Sequence, residues 1–100
     1  MDDFSEKGLG AAFARRGFSP IMLGSVIRWV REGVRPGDFL TAVIRNNLHD
    51  AAVRADPDNL RLLKQWCLFW YNDTPSTCWG SPERMREWEM SGGLDSTRKG

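Results

Sequence analysis

Three times in this chain a serine or an aspartate stands directly before a proline: Ser19-Pro20, Asp56-Pro57 and Ser81-Pro82. Each pair is a helix start in chemical terms. The side-chain oxygen accepts one of the backbone N–H groups that a first helical turn leaves unpaired. Proline fits the position after it because its missing N–H had no partner to lose. The repetition predicts helices opening at Pro20, Pro57 and Pro82 and an all-α fold; no comparable signal marks a strand.

Between these starts the apolar residues recur at the helical period. From Pro20 to Glu32 they are Met22, Leu23, Val26, Ile27 and Val30, with Gly33 placed to cap the C-terminus in a left-handed conformation. After the link Val34-Arg35-Pro36-Gly37, Phe39, Leu40, Val43 and Ile44 share a face of a second helix, which Asn46-Asn47 breaks. Asn47 with Asp50 three residues on reads as a capping arrangement and predicts a short helix from Leu48 to Arg54. The stretch Pro57 to Asn72 is the most apolar. Leu60, Leu63, Cys67 and Trp70 fall on one face, and Leu62, Trp66 and Phe69 on another. A helix apolar around most of its circumference is usually packed by several neighbours, so 57–72 is expected as one central helix of a small bundle of about five. A last helix from Pro82 to about Met90 turns Met85 and Trp88 inward and stops at Gly92-Gly93. Residues 2–18 suggest a short helix interrupted by Gly8, Gly10 and Gly17.

At 100 residues there is room for one domain, expected over 1–94, with a polar, mobile tail over 95–100. Surface scaling at this size buries roughly 65% of the extended chain's area, enough for a core without disulfides or metals. The basic and acidic residues nearly cancel to a net charge of +1, which argues against a strongly nucleic-acid-binding or DNA-mimicking surface. No stretch is apolar enough to span a membrane, and Met1-Asp2-Asp3 does not open a secretory signal. The expected location is the cytoplasm.

Several blocks between Gly37 and Glu83 form a pattern. They are Gly37-x-Phe39-Leu40-x-Ala42-Val43-Ile44-x-Asn46-Asn47-Leu48, then Ala55-Asp56-x-x-Asn59, then Trp70-Tyr71-Asn72-x-x-Pro75, then Cys78-Trp79-Gly80-Ser81-Pro82-Glu83. In this order they resemble a group of short open reading frames of bacterial phages and mobile elements. The resemblance covers about half the chain, and it implies a genomic setting rather than a chemistry. Where that pattern carries Asn-Asp, this chain has Asn46-Asn47.

No catalytic set emerges. His49 is the single histidine, and Asp50 beside it on a helix points about 100° away, so it cannot orient the ring. Cys67 is expected in the core and Cys78, in a loop, as the more accessible thiol; both are expected to be free. The two cysteines and one histidine lack metal-ligand spacing, and Gly8-Leu9-Gly10 lacks the strand and lysine of a phosphate loop. No enzyme activity, metal or cofactor is therefore expected.

The remaining candidates are contact residues. Five tryptophans exceed what a core of this size requires, and tryptophan and arginine dominate interface hot spots. The expected partner-binding residues are Trp29 with the adjoining stripe Arg28, Arg31 and Arg35, and Trp79 in a loop before a helix. Glu32 stands four residues from Arg28, so an ordinary ion pair competes for that arginine. The expected function is binding another protein, with a host or phage partner and self-association as a further option. The alternative is a DNA-binding regulator in which Pro20–Glu32 and Gly37–Asn46 form a helix-turn-helix outline. It is disfavoured because so few cations face the phosphates.

Overall fold

The computed structural model describes residues 3–96. It is an all-α bundle: α1 (Glu6–Arg16), α2 (Leu23–Glu32), α3 (Asp38–Ile44), α4 (Leu48–Arg54), α5 (Pro57–Arg61), α6 (Leu63–Asp73), α7 (Pro82–Ser91) and α8 (Gly93–Ser96). Two 3₁₀ turns, Pro20–Met22 and Ser76–Cys78, lead into α2 and towards α7. There is no strand among the described residues.

The capping chemistry sits where the sequence places it. Asp56 Oδ1 accepts from the Asn59 N–H at 2.8 Å, and Ser81 Oγ from the Arg84 N–H at 3.1 Å. Asn47 Oδ1 accepts from the Asp50 N–H at 3.0 Å and starts α4 at Leu48. Ser19 caps a 3₁₀ turn rather than an α-helix, so the predicted helix from Pro20 divides into that turn and α2. The N-terminal segment is less broken than expected. Ser5 caps one continuous α1, which runs through Gly8 and Gly10 and stops at Gly17.

The predicted central helix is two helices. Leu62, at φ −98° and ψ 12°, separates α5 from α6. The hub lies in α6 alone, where Trp66, Phe69 and Trp70 are buried. Around them Phe13, Phe18 and Phe39 close an aromatic cluster. Phe18 stacks on Trp66 with centroids 3.9 Å apart, and Phe13 meets Trp66 edge-on at 5.6 Å. Edge-to-face and offset rings add to the area they bury. Arg16 Nε donates to Asp73 Oδ2 at 2.7 Å and ties the end of α1 to the end of α6.

A second buried unit joins α2 to the C-terminal helices. Trp88 Nε1 donates to the Trp29 carbonyl at 2.9 Å, and Trp29 Nε1 donates to the Cys78 carbonyl at 3.0 Å. Met85 and Trp88 face inward, as expected. Here α2 and α8 pack backbone to backbone. Gly33 holds φ 71° and Gly93 φ 76°, and a Cβ on Gly93 would lie 2.7 Å from the Arg31 carbonyl. Only glycine fits both the left-handed conformation and that approach. Asp95 and Ser96, expected in the tail, belong to α8 instead. Residues 97–100 of that tail lie outside the described residues.

Candidate functional site

The arginine and tryptophan residues expected to share one surface are dispersed. Trp29 is completely buried, which corrects its assignment as a contact residue. Its position follows from spacing: Val26, Trp29 and Val30 are the buried residues of α2, and 29 lies three residues on from 26. The inward face includes Trp29, and the arginines lie beside it. Arg31 donates to the Phe4 carbonyl at 3.2 Å and to Asp95 Oδ1 at 2.6 Å. Arg35 pairs with Glu89 at 3.1 Å. Both arginines thus hold the fold together. Arg28 is exposed and, with Arg31, Lys7, Glu6, Glu32 and Asp95, lines a shallow cleft of 760 Å³. That cleft mixes both signs of charge and has no concentrated positive potential.

The cysteines exchange the environments expected of them. Cys67 is exposed and Cys78 is buried, and both are free. Burial pushes the Cys78 thiol up to about 12, against the opposing effect of a hydrogen bond with the Thr74 side chain. Cys67 is exposed because neighbours cover only the Trp66/Phe69/Trp70 face of α6. The other face, running through Lys64, Cys67 and Tyr71, stays open.

That open face is one wall of an apolar groove. Asn46, at φ 62°, is the one described non-glycine residue with positive φ. Asparagine tolerates that left-handed conformation better than most side chains. Its N–H donates to the Val43 carbonyl at 3.0 Å, and the Asn47 N–H to the Ala42 carbonyl at 2.9 Å. This turn lets α4 leave α3 with Leu48 and Ala51 beside α6. Two depressions result, and they share Val43, Asn46 and Cys67. The smaller, of 40 Å³, is completed by Asn47, Leu48, Ala51 and Leu63. The larger, of 390 Å³, is completed by Leu68, Trp70, Tyr71 and Trp79.

Trp79 is held at the far end by its loop. The Gly80 N–H donates to the Ile44 carbonyl at 2.8 Å, and Arg84 Nη1 donates to the Ser76 carbonyl at 3.2 Å. The half-buried Trp79 ring meets Tyr71 edge-on at 6.4 Å, and Tyr71 is 74% exposed. Of the five residues proposed from sequence, Trp79 alone lies in this groove; the polar cleft at Arg28 and Arg31 shares no lining residue with it.

The groove is also where hydrogen bonding is incomplete. Trp66 Nε1 donates to Asn59 Oδ1 at 3.1 Å, and Trp29 and Trp88 donate to backbone carbonyls. The buried indole N–H groups of Trp70 and Trp79 have no acceptor among the described residues. His49, by contrast, is exposed on α4. Sequence reading missed Leu48, Cys67 and Tyr71 as surface residues. The available signal for Cys67 was that 57–72 carries two apolar faces, of which a bundle this small covers Trp66 and Phe69 and leaves Leu60 and Cys67 exposed. The chain matches no known protein family, no curated protein and no solved structure.

Proposed function

We propose that this chain is a small non-enzymatic binding protein of the phage or mobile-element type, and that it acts in the cytoplasm by docking a partner protein in the groove between α3–α4 and α6. The carrying observation is the convergence of Leu48, Cys67 and Tyr71, all exposed, with Trp79 around two adjoining depressions that share Val43, Asn46 and Cys67. Apolar side chains scattered singly on a surface need no explanation, whereas a contiguous set around a concavity supports a contact site. Tryptophan and tyrosine are also the residue types that anchor interfaces. Interference with a host defence or regulatory protein is one form this activity takes.

The helix-turn-helix alternative draws less support. The recognition helix would be α3, which has seven residues and buries Phe39, Leu40, Ala42 and Ile44. Little of it is left to enter a groove of DNA.

Affinity capture from host lysate with the intact chain tests the reading. Tyr71→Ala and Trp79→Ala are expected to lose the captured partner with helicity retained, and Arg28→Ala to keep it. Capture that ignores both aromatic substitutions and follows Arg28 would overturn it. So would specific binding to duplex DNA at low salt without a protein partner.

A further inference from the structure

Resting on that groove reading, we infer that the docked segment presents a carboxylate beside an apolar side chain, and that the carboxylate is received by the indole N–H groups of Trp70 and Trp79. Five tryptophans offer five indole donors. The three outside the groove, Trp29, Trp66 and Trp88, are paired at 3.0, 3.1 and 2.9 Å. The two without an acceptor belong to the two tryptophans that line the same 390 Å³ depression. Native proteins rarely leave a buried donor unpaired, and the exceptions call for a reason. Here both exceptions coincide with a cavity lined by Val43 and Leu68, where an incoming apolar side chain gains most.

Charge selects the acceptor. Neither depression is lined by a carboxylate. Lys64 is exposed on the turn of α6 before Cys67 and Leu68, and it forms no ion pair with a described carboxylate. An anion entering this apolar floor therefore meets donors without a competing negative group lining the depression. A carboxylate only accepts hydrogen bonds and has lone pairs for more than one donor. Its bonds to N–H groups are stronger than those of a neutral carbonyl. Both Nε1 atoms are covered, with Trp70 1% exposed and Trp79 half-buried, so reception of the anion includes a turn of the Trp79 ring away from Tyr71 that uncovers the donors. The occupant is a partner-protein segment in which aspartate or glutamate adjoins a leucine- or phenylalanine-sized side chain.

The test is a titration of the intact, ¹⁵N-labelled chain followed through its five indole N–H resonances. Trp70→Phe and Trp79→Phe serve to assign the two in question. The probes are 3-phenylpropionate and 3-phenylpropylammonium, which share an apolar body and differ in the sign of the head group. The expected result is binding of the carboxylate about tenfold tighter than the ammonium. The Trp70 and Trp79 indole protons should move downfield while those of Trp29, Trp66 and Trp88 stay in place. Equal affinity of the two probes, with Val43 and Leu68 methyls perturbed and the indole protons still, would overturn the carboxylate inference and leave the groove intact. Failure of both probes to perturb the groove would remove this inference and its foundation together.

Discussion

Replacing tryptophan by phenylalanine at positions 29 and 70 is one substitution applied to two opposite states of hydrogen bonding. Both side chains are essentially fully buried, at 0% and 1% exposure. Each change removes the same atoms and leaves a similar void, worth about 1–3 kcal/mol in lost burial and packing. The hydrogen-bond contributions differ in sign. At position 29 the change takes the donor from the Cys78 carbonyl, which the indole holds at 3.0 Å. Stranding that acceptor costs a further 1–3 kcal/mol or so, giving about 2–6 kcal/mol in all. At position 70 the change deletes a donor that has no acceptor. Relief of that defect, again about 1–3 kcal/mol, offsets most or all of the void. Trp29→Phe is thus expected to fall below Trp70→Phe by about 2–6 kcal/mol, a gap of roughly 10 °C or more in Tm for a chain of this length. Urea and thermal denaturation followed by far-ultraviolet circular dichroism measure it, with m-values compared to confirm a common denatured state. Equal losses for the two variants would refute the reasoning, because packing alone would then account for both.

Two further outcomes follow from the thiols and the glycines. Cys67 should react at once with a thiol reagent at mild pH, and Cys78 only as fast as the chain unfolds. The folded state holds the Cys78 proton up to about 12 against an ordinary value of 9.0, so this stability is complete below pH 9 and is lost as pH rises towards 12. The full gap corresponds to roughly 4 kcal/mol. Alkaline denaturation compared with Cys78→Ala should show a shallower pH slope in the variant, and identical slopes would contradict the assignment. Gly93→Ala places a Cβ 2.7 Å from backbone atoms at φ 76° and should cost about 2–5 kcal/mol. Gly17→Ala, at φ 80° with nothing within 4 Å, should cost only about 1–2 kcal/mol by the same urea titration.

What was legible in the sequence was local. Ser81, Asp56 and Asn47 act on N–H groups three residues away, so caps and helix starts depend on nothing distant. Faces are decided by partners remote in the chain. Trp29 turns inward because the Cys78 carbonyl, 49 residues on, is there to accept from it. Cys67 turns outward because nothing among the described residues covers that side of α6. Leu62 breaks the 57–72 run without proline or glycine to announce it. The groove was partly visible: Trp79 was singled out, but Cys67 looked like an ordinary member of an apolar stripe and nothing local marked Tyr71 or Leu48 as exposed.

Arg31 has a consequence for the whole chain. One guanidinium binds the backbone of residue 4 and the side chain of residue 95, so the described polypeptide is nearly a closed ring with its clasp on α2. The two described ends are thereby coupled. Freeing α8 removes the anion that orients Arg31, and the segment before α1 then loses its anchor as well. Disturbance at one extremity is felt at the other through a single residue a third of the way along the chain.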